Sequence, residues 1–163
     1  MSNQVARSSK GLYASRNSND YIMSGAQTLA NTVAAAVLFD TIVTSDRLDD
    51  KVTYAAGVFT VQKAGVFCLS TNIDFTANAT GVRQIYYLIS GDAKGTVCVN
   101  TAATGSTCVS SSWTQYLPVG ATISVLAYQG SGGNLDVTVL SRLAITYIWW
   151  GRNDLNTIII YFF

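Results

Sequence analysis

Gly57-Val-Phe-Thr-Val-Gln-Lys-Ala-Gly-Val-Phe-Cys-Leu-Ser-Thr-Asn-Ile-Asp-Phe75 contains two short apolar runs joined by Lys63-Ala64-Gly65. In the second run, which ends at Phe75, large side chains alternate with small or polar ones. Successive side chains of an extended chain point to opposite faces, so this period of two predicts a half-buried β-strand. Residues 116–129 follow the same plan, a turn and then a long alternating strand.

Short strands of this kind recur along the whole chain. Glycine-rich turns separate them, and no segment has the periodicity of a long helix. The predicted strands are residues 34–43, 58–61, 66–75, 82–89, 96–99, 108–115, 122–129, 135–140 and 142–149. Many short strands with turn signals between them predict one all-β domain, an antiparallel sandwich.

The composition indicates a protein that is covered by other protein. Of its 163 residues, 49% are apolar and only 12% are charged, and that charged share is about half of the usual one. A solitary soluble protein carries more charge on its surface, so we expect much of this surface to face neighbouring subunits. The net charge of +1 provides no general attraction to nucleic acid or to an anionic membrane.

The residue types argue against catalysis. The sequence contains no His and no Glu, which removes the commonest general base and the Ser/His/Asp triad. Histidine ligands for zinc are therefore absent too. The segment Asp46-Arg-Leu-Asp-Asp50 lacks the ligand spacing and the glycine of an EF-hand calcium loop. We expect neither enzymatic activity nor a metal or other cofactor.

Residues 1–33 are predicted to form an N-terminal arm outside the sandwich. They are rich in Ser, Asn and Ala and show no strong periodicity, as in segments that form no core of their own. Arg7, Lys10 and Arg16, set against Asp20, make the arm weakly basic. A tether on a neighbouring subunit and a weak contact with nucleic acid both remain open, and no other nucleic-acid contact is expected.

The cysteines and the termini bear on the cellular compartment. Cys98 and Cys108 flank residues 99–107, so a disulfide closing that loop and two free thiols are both compatible with the sequence. The N-terminus lacks the apolar region of a signal peptide. No apolar run reaches the roughly 18 residues of a transmembrane helix. These features favour assembly inside the cell over secretion.

The order of several short motifs is similar to that of a known superfamily. The motifs are Val37-Leu-Phe-Asp40, Gly57-Val-Phe-Thr-Val61, Ala64-Gly-Val-Phe67, Leu117-Pro-Val-Gly120 and Ile123-Ser-Val125. Over residues 34–148 the chain resembles the C1q-like branch of the tumour necrosis factor (TNF) jelly-roll superfamily. It departs from that pattern at Ala121, where Asp is usual, and by lacking a collagen-like stalk.

This resemblance implies an antiparallel jelly-roll sandwich of ten strands that assembles as a threefold trimer. Compact versions of the fold occur in phages and large DNA viruses, so the resemblance also points to a viral type. Strands that are apolar on both faces need a second partner layer, and another copy of the chain is the simplest one. We expect Leu126, Tyr128 and Tyr147 to form the trimer interface, although the same side chains could instead fill the sandwich core.

The C-terminal residues 149–163 extend beyond the last strand of the family. Burying each large apolar side chain contributes about 1.5–3 kcal/mol, so we expect the segment to dock between subunits. A membrane anchor is the rival interpretation. The predicted docking residues are Trp149, Trp150, Ile158, Ile159, Ile160, Tyr161, Phe162 and Phe163.

Two functional hypotheses follow. The first is a virion structural protein, a homotrimeric component or decoration of a capsid or appendage that contacts neighbouring virion proteins and is assembled in the host cell interior. The alternative is a receptor- or glycan-binding head, either of a viral fibre or of a secreted C1q-like recognition protein. Such a head would bind a host-surface receptor or glycan through loops 76–83 and 91–105, which carry Arg83, Asp92 and Lys94.

Overall fold

The computed structural model of the protein describes residues 17–46, 48, 50–101 and 105–148. These residues form thirteen β-strands and no helix. The strands are β1 (Asn17–Ile22), β2 (Gln27–Leu29), β3 (Ala35–Ala36), β4 (Thr41–Asp46), β5 (Val52–Ala55), β6 (Val58–Val61), β7 (Gly65–Phe75), β8 (Val82–Ile89), β9 (Asp92–Asn100), β10 (Thr107–Leu117), β11 (Thr122–Gln129), β12 (Leu135–Val137) and β13 (Arg142–Ile148).

The strands make two antiparallel sheets. In the seven-stranded sheet the order is β2-β12-β7-β13-β1-β4, with β10 paired to β7. In the six-stranded sheet the order is β5-β6-β11-β8-β9, with β3 paired to β11. Strands distant in sequence lie side by side, since β1 pairs with β13 and β7 pairs with both β10 and β13. The predicted antiparallel sandwich is therefore confirmed.

The core lies between the inner faces of the two sheets. Phe67, Ile73 and Phe75 on β7 face Ile85 and Tyr87 on β8, and all of them are buried. The buried positions alternate along each strand, as the period of two requires. Burial of these apolar side chains is the main source of the fold's stability.

The strands with the clearest alternation have the predicted bounds. β8 and β11 coincide with the predicted residues 82–89 and 122–129. Strand β7 begins one residue earlier than predicted, at Gly65. The predicted strand 34–43 is instead two strands, β3 and β4, separated at residues 37–40.

The predicted boundary of the N-terminal arm is wrong for the residues that the structure describes. Strands β1 and β2 belong to the seven-stranded sheet, so the jelly roll includes residues 17–33. β1 lacks an apolar alternation because Asn19, which faces the core, is polar. Its Nδ2 donates a hydrogen bond to the hydroxyl of Tyr21 at 3.2 Å. This bond compensates the buried amide group for hydrogen bonds to water that it loses on folding. Residues 1–16 lie outside the described residues.

Candidate interaction surfaces

The outer face of the seven-stranded sheet carries mainly short side chains, and we call it the seven-strand face. Its strand register sets these side chains in rows that cross β10, β7 and β13. One row joins Tyr116, Val66 and Ile148 and is apolar. The other side chains of β1, β7, β10 and β13 on this face are Ser18, Asp20, Ile22, Cys68, Ser70, Asn72, Asp74, Cys108, Ser110, Ser112, Thr114, Arg142, Ala144 and Thr146.

Polar contacts order the middle of this face. Asn72 Oδ1 accepts hydrogen bonds from Cys108 Sγ at 2.6 Å and Ser110 Oγ at 3.3 Å. A shallow depression of about 240 Å³ lies beside these residues, with Asp20 and Arg142 in its lining. Asp74, which pairs with Cys108, and Asp136 on β12 add two carboxylates to the outer side of this sheet. The row of Tyr116, Val66 and Ile148 carries no charged residue and suits contact with another uncharged surface.

Strand β10 forms an edge of this sheet and is unusual for an exposed edge. It is 11 residues long, pairs with β7 without a register shift, and contains neither a charged residue nor a proline. The whole chain carries no charged residue between Lys94 and Asp136. Natural proteins generally protect long edge strands with charges, prolines or bulges. Sequence reasoning missed this edge, although the charge-free run was a signal for it.

The outer face of the six-stranded sheet carries two of the three predicted trimer residues. Leu126 pairs with Tyr86 and Tyr128 pairs with Gln84, on the neighbouring strands β11 and β8. Both Leu126 and Tyr128 are half-buried within the single chain. They therefore lie on the opposite side of the molecule from the seven-strand face.

Tyr147 is not available for the predicted trimer interface. It is 3% exposed, and its ring packs edge-on against Phe67 with 5.2 Å between ring centroids. Its hydroxyl donates to the Ala64 carbonyl at 3.1 Å, and burial raises the pKa of Tyr147. The alternative, that it fills the core, is correct for this residue. The three predicted residues thus do not form one surface.

Arg83 does not lie on the surface, where a recognition residue would have to be. Its side chain is fully buried. Its guanidinium nitrogens donate to the carbonyls of Asn78 at 3.1 Å, Thr80 at 3.1 Å and Val82 at 2.9 Å. Nε has no partner among the described residues, and burial lowers the pKa of the guanidinium group. Arg83 therefore holds the loop before β8 and does not present a charge to solvent.

The other two predicted recognition residues lie at the opposite end of β8. Asp92 pairs with Ile89 at the end of β8, whereas Arg83 is near its beginning. Asp92 is exposed, and Lys94 approaches it at 3.8 Å. The predicted loops do not place Arg83, Asp92 and Lys94 in one site.

The structure describes some of the remaining predicted sites and not others. Cys68, Cys98 and Cys108 are free thiols, so the loop-closing disulfide is absent. The described part of the chain contains no group of three metal-ligating side chains. It also contains no helix with the length and hydrophobicity needed to cross a membrane. The predicted docking residues from Trp149 to Phe163 lie outside the described residues.

Comparison of the sequence with known proteins identifies a viral relative. No family model matches the chain. An uncharacterized protein of Acanthamoeba polyphaga mimivirus is 36% identical over 98 residues, which cover 56% of this chain and 42% of that relative. The chain thus matches less than half of the relative's length.

Solved structures match over most of the chain. Eiger TNF from S. frugiperda has a TM-score of 0.63 at 9% identity, covering 88% of this chain and 99% of that structure. Murine APRIL at pH 5.0 has a TM-score of 0.65 at 11% identity, covering 82% and 99%. The globular domain of zebrafish complement 1qA protein has a TM-score of 0.61 at 14% identity, covering 83% and 99%. The chain has the jelly-roll fold of TNF and C1q-like domains.

Proposed function

We propose that the chain is a virion structural protein, a homotrimeric jelly roll that assembles by burying uncharged and apolar surface. Its role requires no catalysis and no cofactor. The similarity to a mimivirus protein supports a viral setting, and the low charged share of 12% supports extensive contact with other protein. The protein would be built into a capsid or appendage, or decorate it, in the host cell interior.

The edge strand β10 is the observation that carries this proposal. Strand β10 is an 11-residue edge without charge or proline, and apart from Ser111, which bonds to β8 and β9, it can contact another chain. The exposed Tyr116 projects from the same strand, with 61% of its surface accessible. A single subunit with this surface is prone to association, whereas a closed oligomer covers it.

The seven-strand face is the proposed trimer interface. It replaces an interface that included the buried Tyr147. The apolar row of Tyr116, Val66 and Ile148 lies at one end of this face, where neighbouring copies would cover it. The small side chains beside it, such as Ser112 and Ala144, permit close approach. Three copies related by a threefold axis would close the contact without leaving a copy of this face uncovered.

The two ends of the chain would connect the trimer to its surroundings. Residues 149–163 include two Trp, three Ile and two Phe residues, and they would dock on neighbouring subunits. Residues 1–16 carry Arg7, Lys10 and Arg16 and would serve as a tether. Both proposals concern contacts between protein chains, with no membrane partner.

A charge placed on β10 tests the trimer. Ser112→Lys adds a cation at an exposed position of the proposed interface, so folding should be retained while trimers dissociate. Multi-angle light scattering measures the mass.

Thr53→Lys is the matched control, because Thr53 is exposed on β5, the edge of the other sheet that lies opposite β9. Tyr128→Asp probes the outer face of the six-stranded sheet. If only that variant dissociates, the interface lies there; if the unmodified chain is monomeric at high concentration, the proposal fails.

The location of the protein tests the virion role. Mass spectrometry and antibody labelling of purified particles should detect the protein in them, and deletion of residues 149–163 should prevent its incorporation while trimers persist. Particles that assemble normally with the deletion but no longer attach to host cells would favour the receptor- or glycan-binding head instead. Absence of the protein from purified particles would contradict both virion roles.

A further inference from the structure

Four apolar residues lie at or just beyond the ends of β7, β10 and β13, and we call them the β13-end patch. Three of them, Val66, Tyr116 and Ile148, share one row of the seven-strand face. The fourth, Val119, lies in the turn that follows β10. Three of the four are strongly exposed for apolar residues, Tyr116 at 61%, Val119 at 63% and Ile148 at 40%, whereas Val66 is half-buried. Such a patch favours a partner that removes it from water.

The chemistry of the patch restricts that partner. Tyr116 and Val119 lie within the charge-free run between Lys94 and Asp136. Val66 and Ile148 complete an apolar row with no charged member. An uncharged, aromatic or β-branched segment therefore fits the patch better than a charged one, because a charge buried there would have no partner.

A segment with this chemistry begins at the patch itself. Trp149 is bonded to Ile148, and residues 149–163 contain two apolar clusters, Trp149-Trp150 and Ile158 to Phe163. Their only charges, Arg152 and Asp154, lie between the clusters. At about 3.3 Å per residue, fifteen extended residues reach about 50 Å. That is enough to cross from one subunit to the next.

Neighbouring strands limit where this segment can go. Strand β13 is flanked by β7 on one side and β1 on the other, with Tyr147 paired to Asn17. Both long sides of β13 therefore already have partner strands in its own sheet. The patch lies at the end of the seven-strand face, where the proposed homotrimer brings the patch of a second copy within reach of this segment.

We propose that residues 149–163 of one copy bind the β13-end patch of a neighbouring copy in the same homotrimer. This inference rests on the proposed homotrimer and names the partner of the C-terminal segment. Three such exchanges around the axis would connect each subunit to the next at one end of the trimer. The docked segment would cover Tyr116 and Val119.

Disulfide trapping between two distinguishable chains tests this exchange. In a full-length background with Cys68, Cys98 and Cys108 changed to Ser, one tagged chain carries Val119→Cys. A second chain with another tag carries Trp150→Cys, Ile159→Cys or Phe162→Cys. Both are co-expressed and oxidised, and because a disulfide forms only between close Cα atoms, a covalent heterodimer is expected for at least one pair.

A matched control and a single-chain variant make the outcome decisive. Leu140→Cys replaces Val119→Cys in the control, because Leu140 is similarly exposed, at 67%, but lies next to the beginning of β13, whereas the patch lies at its end. We expect several-fold less heterodimer from the control. A chain carrying both cysteines that forms only an internal disulfide would overturn the exchange, and so would trimers without any cross-link. Light scattering on the same samples shows whether the trimer is present. A missing cross-link in intact trimers refutes only the exchange, whereas loss of the trimer would refute the proposed function.

Discussion

The hydroxyl of Tyr87 donates a hydrogen bond to the backbone carbonyl of Ser111 at 2.8 Å. Tyr87 belongs to β8 of the six-stranded sheet and Ser111 to β10 of the seven-stranded sheet, so this bond joins the two layers. Ser111 Oγ also donates to the carbonyl of Gly95 on β9 at 2.6 Å. Burial raises the pKa of Tyr87, which keeps the hydroxyl protonated as a donor. These bonds position β10, the strand that carries the proposed interface.

Removal of the Tyr87 hydroxyl should destabilise the sandwich. Tyr87→Phe leaves the buried carbonyl of Ser111 without this donor, and we expect a loss of about 1–3 kcal/mol in the free energy of unfolding. Urea denaturation at fixed protein concentration measures it. The control is Tyr86→Phe, at the neighbouring half-buried position on the outer face, with an expected change within about 0.5 kcal/mol. Equal losses in the two variants would argue against a bond that joins the sheets.

Gly81 should tolerate substitution much less well than Gly91. Both have positive φ angles, +76° and +94°, so alanine at either site is strained by about 1–2 kcal/mol. A Cβ at Gly81 would also lie 1.7 Å from the carbonyl oxygen of Gly130, whereas nothing lies within 4 Å at Gly91. We expect Gly81→Ala to lower the thermal midpoint clearly more than Gly91→Ala does. Similar midpoints would contradict the close approach of the two loops.

Arg83 should act on stability and not on recognition. Arg83→Met removes three hydrogen bonds to carbonyls, and we expect a loss of at least about 1.5 kcal/mol. Faster amide exchange at Ala79 and Thr80 should accompany it, because the guanidinium group holds that loop. Lys94→Met is the control, since its exposed ion pair with Asp92 contributes little. Unchanged stability and exchange in Arg83→Met would leave a recognition role for this residue open.

Asp40 should make stability depend on pH in the acid range. Hydrogen bonds from the Ser24 hydroxyl at 2.6 Å and the Ser24 backbone N–H at 2.7 Å lower the pKa of Asp40 from its ordinary value of 3.8. The unfolded chain therefore binds this proton more tightly than the folded one. The stabilisation is present above pH 3.8 and is lost as the pH falls through the lower folded pKa.

Asp40→Asn tests this dependence. The variant should have a lower urea midpoint than the unmodified chain at neutral pH, and the difference should shrink as the pH falls below 3.8, where the unfolded chain already binds this proton. Asp92→Asn is the control because its carboxylate is exposed and only loosely paired. A difference for Asp40→Asn that stays constant across this pH range would show that the Ser24 contact does not depend on charge.

Side-chain alternation was sufficient to predict several strands, but it did not show which face of each strand is buried. In β13, Leu143, Ile145 and Tyr147 alternate with Ala144 and Ile148, and either set could have faced the core. Packing against Phe67 places Tyr147 inside. Arg83 shares its face of β8 with Ile85 and Tyr87, so its burial was readable from the alternation. Its charge suggested the surface, and that inference from residue type was wrong.

The amino-acid pattern alone defined an all-β sandwich, since a period of two is a local property of the extended chain. It also indicated extensive contact with other protein, because the share of charged residues can be counted from the sequence without any structure. Which strands become edges depends on pairing between distant segments, such as β1 with β13 and β7 with β10. The uncharged edge of β10 and the β13-end patch emerged only from that pairing, because hydrogen bonds between strands are long-range contacts that no local pattern encodes.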